Sequence, residues 1–118
     1  MFYQMLDACA RTESYPLEEI NDHLRAYPER LAAVARTLTF FEPQRHAVRV
    51  TATTLLAVGD PGTLGGPEWL APLSTALRDH VQHYTLCHEG GTDHDRQDAW
   101  LAERMGVEAM PRLWEAAR

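Results

Sequence analysis

Lysine is absent from this sequence: all 11 basic residues are arginine, set against 17 aspartates and glutamates for a net charge of −6. The arginines are scattered from Arg11 to Arg118 without forming a basic cluster, so binding to a nucleic-acid backbone, which needs concentrated positive charge, is disfavoured. Cysteine is scarce as well. Cys9 and Cys87 stand far apart, forming neither a C-x-x-C redox pair nor a disulfide framework, and both are expected to be reduced thiols. No apolar run approaches the roughly 18 residues a membrane helix needs. The opening residues, MFYQMLDACARTE, place no basic residue before their apolar stretch and meet Asp7 early. No secretory leader is read there, and a cytoplasmic location is the expectation. Serine is limited to Ser14 and Ser74.

What is present suits one folded domain. The chain has 118 residues, 45% of them hydrophobic and 24% charged. A chain of that length buries roughly two thirds of its unfolded surface on folding. Residues 2 to 12 are expected to form a short helix with Phe2, Met5 and Leu6 on its apolar side. Pro16 suits a first helical position, and Leu17, Ile20 and Leu24 follow at i, i+3 and i+7. Glu18 and Glu19 fall in the first turn, where negative charge is favoured. Pro28 opens a further helix bearing Leu31, Val34, Ala35 and Leu38, which Phe40, Phe41 and Pro43 interrupt. Residues 1–48 thus read as a helical segment of a single domain, and residues 49–118 as a βα portion.

The hydrophobic period changes at TATTLLAVG, residues 51 to 59, which reads as a buried strand running into the turn Gly59-Asp60-Pro61-Gly62. Trp69, Leu70, Leu73 and Leu77 mark the next helix, with Pro72 either in its first turn or bending it. VQHYTL, residues 81 to 86, alternates as a second strand and stops at Cys87-His88-Glu89-Gly90-Gly91. Thr92 with Asp95 resembles a capping box, ahead of a helix carrying Trp100, Leu101 and Met105 that Gly106 closes. A last short helix is expected to hold Leu113 and Trp114. Strand, helix, strand, helix is a βαβα unit, normally part of a larger parallel sheet covered on both faces. Two strands leave both outer edges unpaired, so a second copy or another chain is expected to complete the sheet.

Two kinds of chemistry are open. His80, His83, Cys87, His88, Asp93, His94 and Asp95 crowd together and offer donors that suit zinc. Their spacing matches no i, i+4 pair of the H-E-x-x-H kind, and no physiological metal is expected. The other candidate is His88, placed just after a strand, with Asp60 after the preceding one. Asp60-Pro61-Gly62 is also what a surface turn prefers.

Several stretches resemble one family. Glu19-Ile20, Leu24-Arg25, Arg36-Thr37-Leu38-Thr39-Phe40-Phe41-Glu42-Pro43 and Val58-Gly59 are similar to motifs in the C-terminal half of acetyl xylan esterases and cephalosporin C deacetylases, which have the α/β-hydrolase fold. The resemblance covers roughly residues 2 to 106. It implies a C-terminal βαβα fragment of an α/β-hydrolase, with two parallel strands and an N-terminal helical segment. In that family a G-H-E turn after the last strand carries the catalytic histidine, which here corresponds to His88 in Cys87-His88-Glu89. The acidic position aligns without gaps on Gly62, leaving Asp60 two residues early as the candidate carboxylate.

The family's nucleophile is a serine in a G-x-S-x-G elbow, and neither Ser14 nor Ser74 has that context. The elbow also supplies oxyanion donors. The resemblance therefore implies a truncated or degenerate carboxylic ester hydrolase that uses no cofactor, lacks its nucleophile and is inactive alone, acting on acetylated sugars or similar small esters only if a complementary chain completes it. The alternative is a non-enzymatic association module that forms a homo-oligomer or completes a partner's sheet.

Overall fold

A computed structural model describes residues 4–89 and 91–110. The expected helix at Leu113 and Trp114, and Phe2 in the first helix, lie outside the described residues. Helix α1 spans Gln4–Arg11, α2 Leu17–Ala26, α3 Leu31–Leu38 and α4 Pro43–Ala47. Strand β1 (Thr54–Val58), helix α5 (Pro67–Leu77), strand β2 (Val81–Thr85) and helix α6 (Thr92–Met105) follow. The molecule is therefore a mixed α/β chain whose helices precede a βαβα unit.

Local chemistry accounts for most boundaries. Pro16 stands just before α2 rather than inside it. Pro28 begins a short 3-10 turn that runs into α3. Pro43 does more than interrupt: it holds the first turn of α4, because its missing N–H would be unpaired there in any case. Pro67 plays that part in α5, and Pro72 lies inside the helix beyond its first turn, where it removes one backbone hydrogen bond. Gly106, in the left-handed conformation, closes α6. The capping box at Thr92 does not form. Gly91 is the N-cap, no side chain caps the helix, and the Asp95 amide donates to the Gly91 carbonyl at 3.0 Å.

β1 and β2 pair in parallel, with Thr54 opposite Val81 and Val58 opposite Thr85, and α5 makes the crossover between them. The ladder continues one step further through the Leu86 amide, 2.8 Å from the Val58 carbonyl. Among the described residues each strand pairs on one edge only. Leu56 is buried in the middle of β1 and Leu77 at the end of α5, while Cys9, Ala35, Leu38 and Ala47 form the interior of the helical half. Burial pushes the Cys9 thiol up, as suits a packing group, and both cysteines are free. Arg11 lies over the Trp69 ring at 5.5 Å, linking α1 to α5. Trp100 Nε1 donates to Gln82 Oε1 at 2.7 Å, linking α6 to β2.

Beside Cys9, the most fully buried side chain among the described residues is a carboxylate: Glu42, just ahead of α4, is only 1% exposed. Its Oε1 accepts the Met5 amide at 2.9 Å, near the start of α1 where helix amides lack intrahelical acceptors. Its Oε2 accepts Gln44 Nε2 at 2.8 Å. Buried charge is tolerated only where such donors replace water. Removing both bonds in Glu42→Ala should lower unfolding free energy by about 1–3 kcal/mol, with Glu42→Gln losing less, as read by urea denaturation. Equal stability of wild type and Glu42→Ala would show that this carboxylate does not join the helices.

Candidate functional site

Parallel neighbours deliver the residues after their C-terminal ends to the same rim of the sheet, which is where open α/β sheets bind ligands. Asp60 follows β1 and His88 follows β2. Their side chains meet there, with His88 Nε2 3.5 Å from Asp60 Oδ2. The two groups are 55% and 68% exposed, so the pair is an open contact in water.

The Asp60 loop is tightly wound. The Gly59 amide donates to the Gly65 carbonyl at 2.7 Å, and the Asp60 carbonyl accepts both the Thr63 amide at 3.2 Å and the Thr63 hydroxyl at 2.7 Å. Glu68 on α5 accepts the amide of Gly62, whose φ of 81° is in the left-handed region. Gly66 is buried in this turn, and a Cβ there would lie 2.4 Å from the Asp60 carbonyl oxygen. Side chains are excluded at that point. The surface-turn reading of Asp60-Pro61-Gly62 and its place beside His88 thus describe the same loop.

His88 is set by Asp93, which the sequence offered among the potential zinc donors. Asp93 is buried in the first turn of α6 and faces back toward the end of β2. Its Oδ1 accepts the Cys87 amide at 3.0 Å and its Oδ2 accepts the His88 amide at 2.9 Å. The Tyr84 hydroxyl also donates to it. His88 has a φ of 57°, a left-handed conformation that costs a non-glycine residue about 1–3 kcal/mol and persists only where the surroundings impose it. Asp93 is what imposes it. The sequence signal was the short reach from His88 back to the first turn of the next helix, where an aspartate can accept amides from the preceding loop.

The Cys87 amide, with the Tyr84 hydroxyl and the His88 amide, holds the Asp93 carboxyl well below the usual carboxylate range. The same hydrogen bond pushes the Tyr84 phenol up, and burial adds to it. The potential metal donors turn to different partners: His83 to Ser74, His88 to Asp60, and Asp93 to backbone amides. Among the described residues no group of three or more His, Cys, Asp and Glu side chains converges as a ligand set. No described helix is long and apolar enough to cross a membrane.

Chemically, the rim offers an imidazole and a carboxylate in contact, the residue types that hydrolytic triads use for base and orienting partner. Ser14 lies between α1 and α2, where its amide donates to the Thr12 hydroxyl at 3.1 Å, and Ser74 is bonded to His83. No family model, curated protein or solved structure matches the chain.

A folded-state carboxyl held low contributes stability at pH above its unfolded value near 3.9, and that contribution is lost as pH falls through the folded value. Wild type should therefore lose urea resistance progressively below about pH 4, in excess of any loss in Asp93→Asn. Parallel declines in the two proteins would remove Asp93 as the anchor of the His88 loop. The His88 ring resonances should shift in Asp93→Asn at neutral pH, and unchanged resonances would count equally against it.

Proposed function

We propose that this chain is the C-terminal portion of an acetyl xylan esterase-like carboxylic ester hydrolase of α/β-hydrolase fold, contributing His88 as base and Asp60 as its carboxylate partner. The observation that carries the reading is the 3.5 Å contact between these two side chains at the C-terminal ends of adjacent parallel strands. The motifs from Glu19 to Gly59 support it separately, because the residues that carry the resemblance there include neither His88 nor Asp60.

In the reaction a serine hydroxyl attacks the acetyl carbonyl, passes its proton to the imidazole and leaves an acyl-serine that water hydrolyses. The carboxylate holds the imidazole through Nδ1 so that Nε2 faces the serine. In this chain Nε2 is the nitrogen facing Asp60. Competence requires the ring to turn over, which the 55% exposure of the side chain permits, and the contact to tighten when substrate excludes water. The serine and the oxyanion donors come from the missing strands, on another segment or a complementary chain. No cofactor takes part, and the substrate class is acetylated sugars or similar small esters.

A second reading, the association module, is favoured by surface. Among the described residues each strand has one unpaired edge, and Phe40, Phe41, Leu101 and Met105 are more than half exposed. Open strand edges and apolar side chains in water are what a further chain would cover.

Both readings yield clear outcomes. The lone chain should not turn over acetylated xylose, and a rate abolished by His88→Ala would overturn the need for a complementary serine. The coding sequence upstream of Met1 should contain, in frame or shifted, a G-x-S-x-G segment followed by strand patterns. Its absence would leave the association module as the better reading. Light scattering of the purified chain at micromolar concentration should give at least the dimer mass, and a stable monomer would sink self-association.

A further inference from the structure

We propose that Ser74 is a nucleophilic serine activated by His83, forming an acyl-accepting pair distinct from His88 and Asp60. Ser74 Oγ lies 2.7 Å from His83 Nε2. The two side chains come from different elements, α5 and β2, and converge because α5 packs along β1 while His83 stands opposite Leu56 in the parallel register. Both line one half-open pocket of about 210 Å³, whose walls include Leu56, Val58, Leu70 and Ala71. At about 30 Å³ per water in the liquid, that space holds several waters or one short acyl chain. The apolar walls favour the acyl chain.

With the imidazole proton on Nδ1, Nε2 accepts the Ser74 hydroxyl proton, which is the arrangement that activates a serine. Attack of Oγ on an ester carbonyl forms the Oγ–C bond and passes the proton to His83. Collapse breaks the bond from carbonyl carbon to leaving group, and His83 returns the proton to that group. The products are acyl-Ser74 and a free alcohol, phenol or thiol. Ser74 sits inside α5, where neighbouring backbone amides are engaged in the helix and cannot cradle an oxyanion. The donor must therefore carry its own activation, which selects short-chain aryl esters or thioesters over alkyl esters of sugars. Deacylation, which has no such leaving group, is slow, so acyl-Ser74 accumulates.

The test is a burst experiment with 4-nitrophenyl butyrate on the intact chain. One equivalent of 4-nitrophenolate should be released rapidly, and peptide mass mapping should place a single butyryl group on Ser74. Ser74→Ala should abolish the burst. His83→Gln should slow it at least 10-fold, within the range lost with a general base. His94→Ala, a surface histidine on α6, should acylate at the wild-type rate. Should the variants fail to fold, wild-type Ser74 should still acylate at least 10-fold faster in buffer than in denaturing urea. Butyrylation of a tyrosine, cysteine or the N-terminus in place of Ser74 would overturn the proposal. So would an unchanged rate in folded His83→Gln, or equal Ser74 rates with and without urea. Each of these outcomes is independent of the upstream elbow and of any His88-dependent turnover.

Discussion

Parallel pairing of β1 with β2 is the constraint from which the rest of the molecule follows. A parallel neighbour cannot be reached by a tight turn, so the chain must return along the length of the sheet, and α5 is the segment that does so. Two consequences come from that single geometry. The loops leaving both strands emerge on one rim, which brings Asp60 beside His88. The crossover helix also lies against the strands, which brings Ser74 to His83. Both histidine pairs are therefore products of the crossover, at different heights on the same two strands.

Two carboxylates perform the same physical task in separate halves of the chain. Glu42 accepts an amide at the start of α1, and Asp93, itself in the first turn of α6, accepts two amides from the loop before it. In each case a buried negative charge takes donors that would otherwise need water, and it fixes the path of a segment that has no regular ladder of its own. For Glu42 the result is a tie between the start of α1 and the residue that precedes α4. For Asp93 it is the left-handed backbone of His88, and with it the direction in which the imidazole leaves the sheet.

Much apolar and backbone surface is left without a neighbour. The strands have one free edge each among the described residues, and Leu56 is the only buried residue of the sheet. A two-stranded parallel sheet is unusual because unpaired edges and a half-covered face invite association. That surface is common ground for the esterase reading and the association reading, since both require further polypeptide against the sheet.

Periodicity and turn chemistry determined the elements: the helical period around Leu24 and Leu38, the strand runs before Gly59 and Cys87, and the glycine that ends α6 were all legible because they depend on neighbours within a few residues. They also placed Asp60 and His88 at the ends of successive strands, which under a parallel order implies proximity. Helix α4 was missed because Pro43 is equally a helix breaker and a helix starter, and only packing against α5 decides between them. The capping box failed because α6 begins at Thr92 itself, which puts Gly91, without a side chain, at the N-cap position and Thr92 one place too late to cap. Tertiary structure alone decided that Glu42 is buried and that Ser74 meets His83. Each of these depends on the angle at which one element lies on another, and that angle is set by the sum of contacts across the interface rather than by any local run of residues.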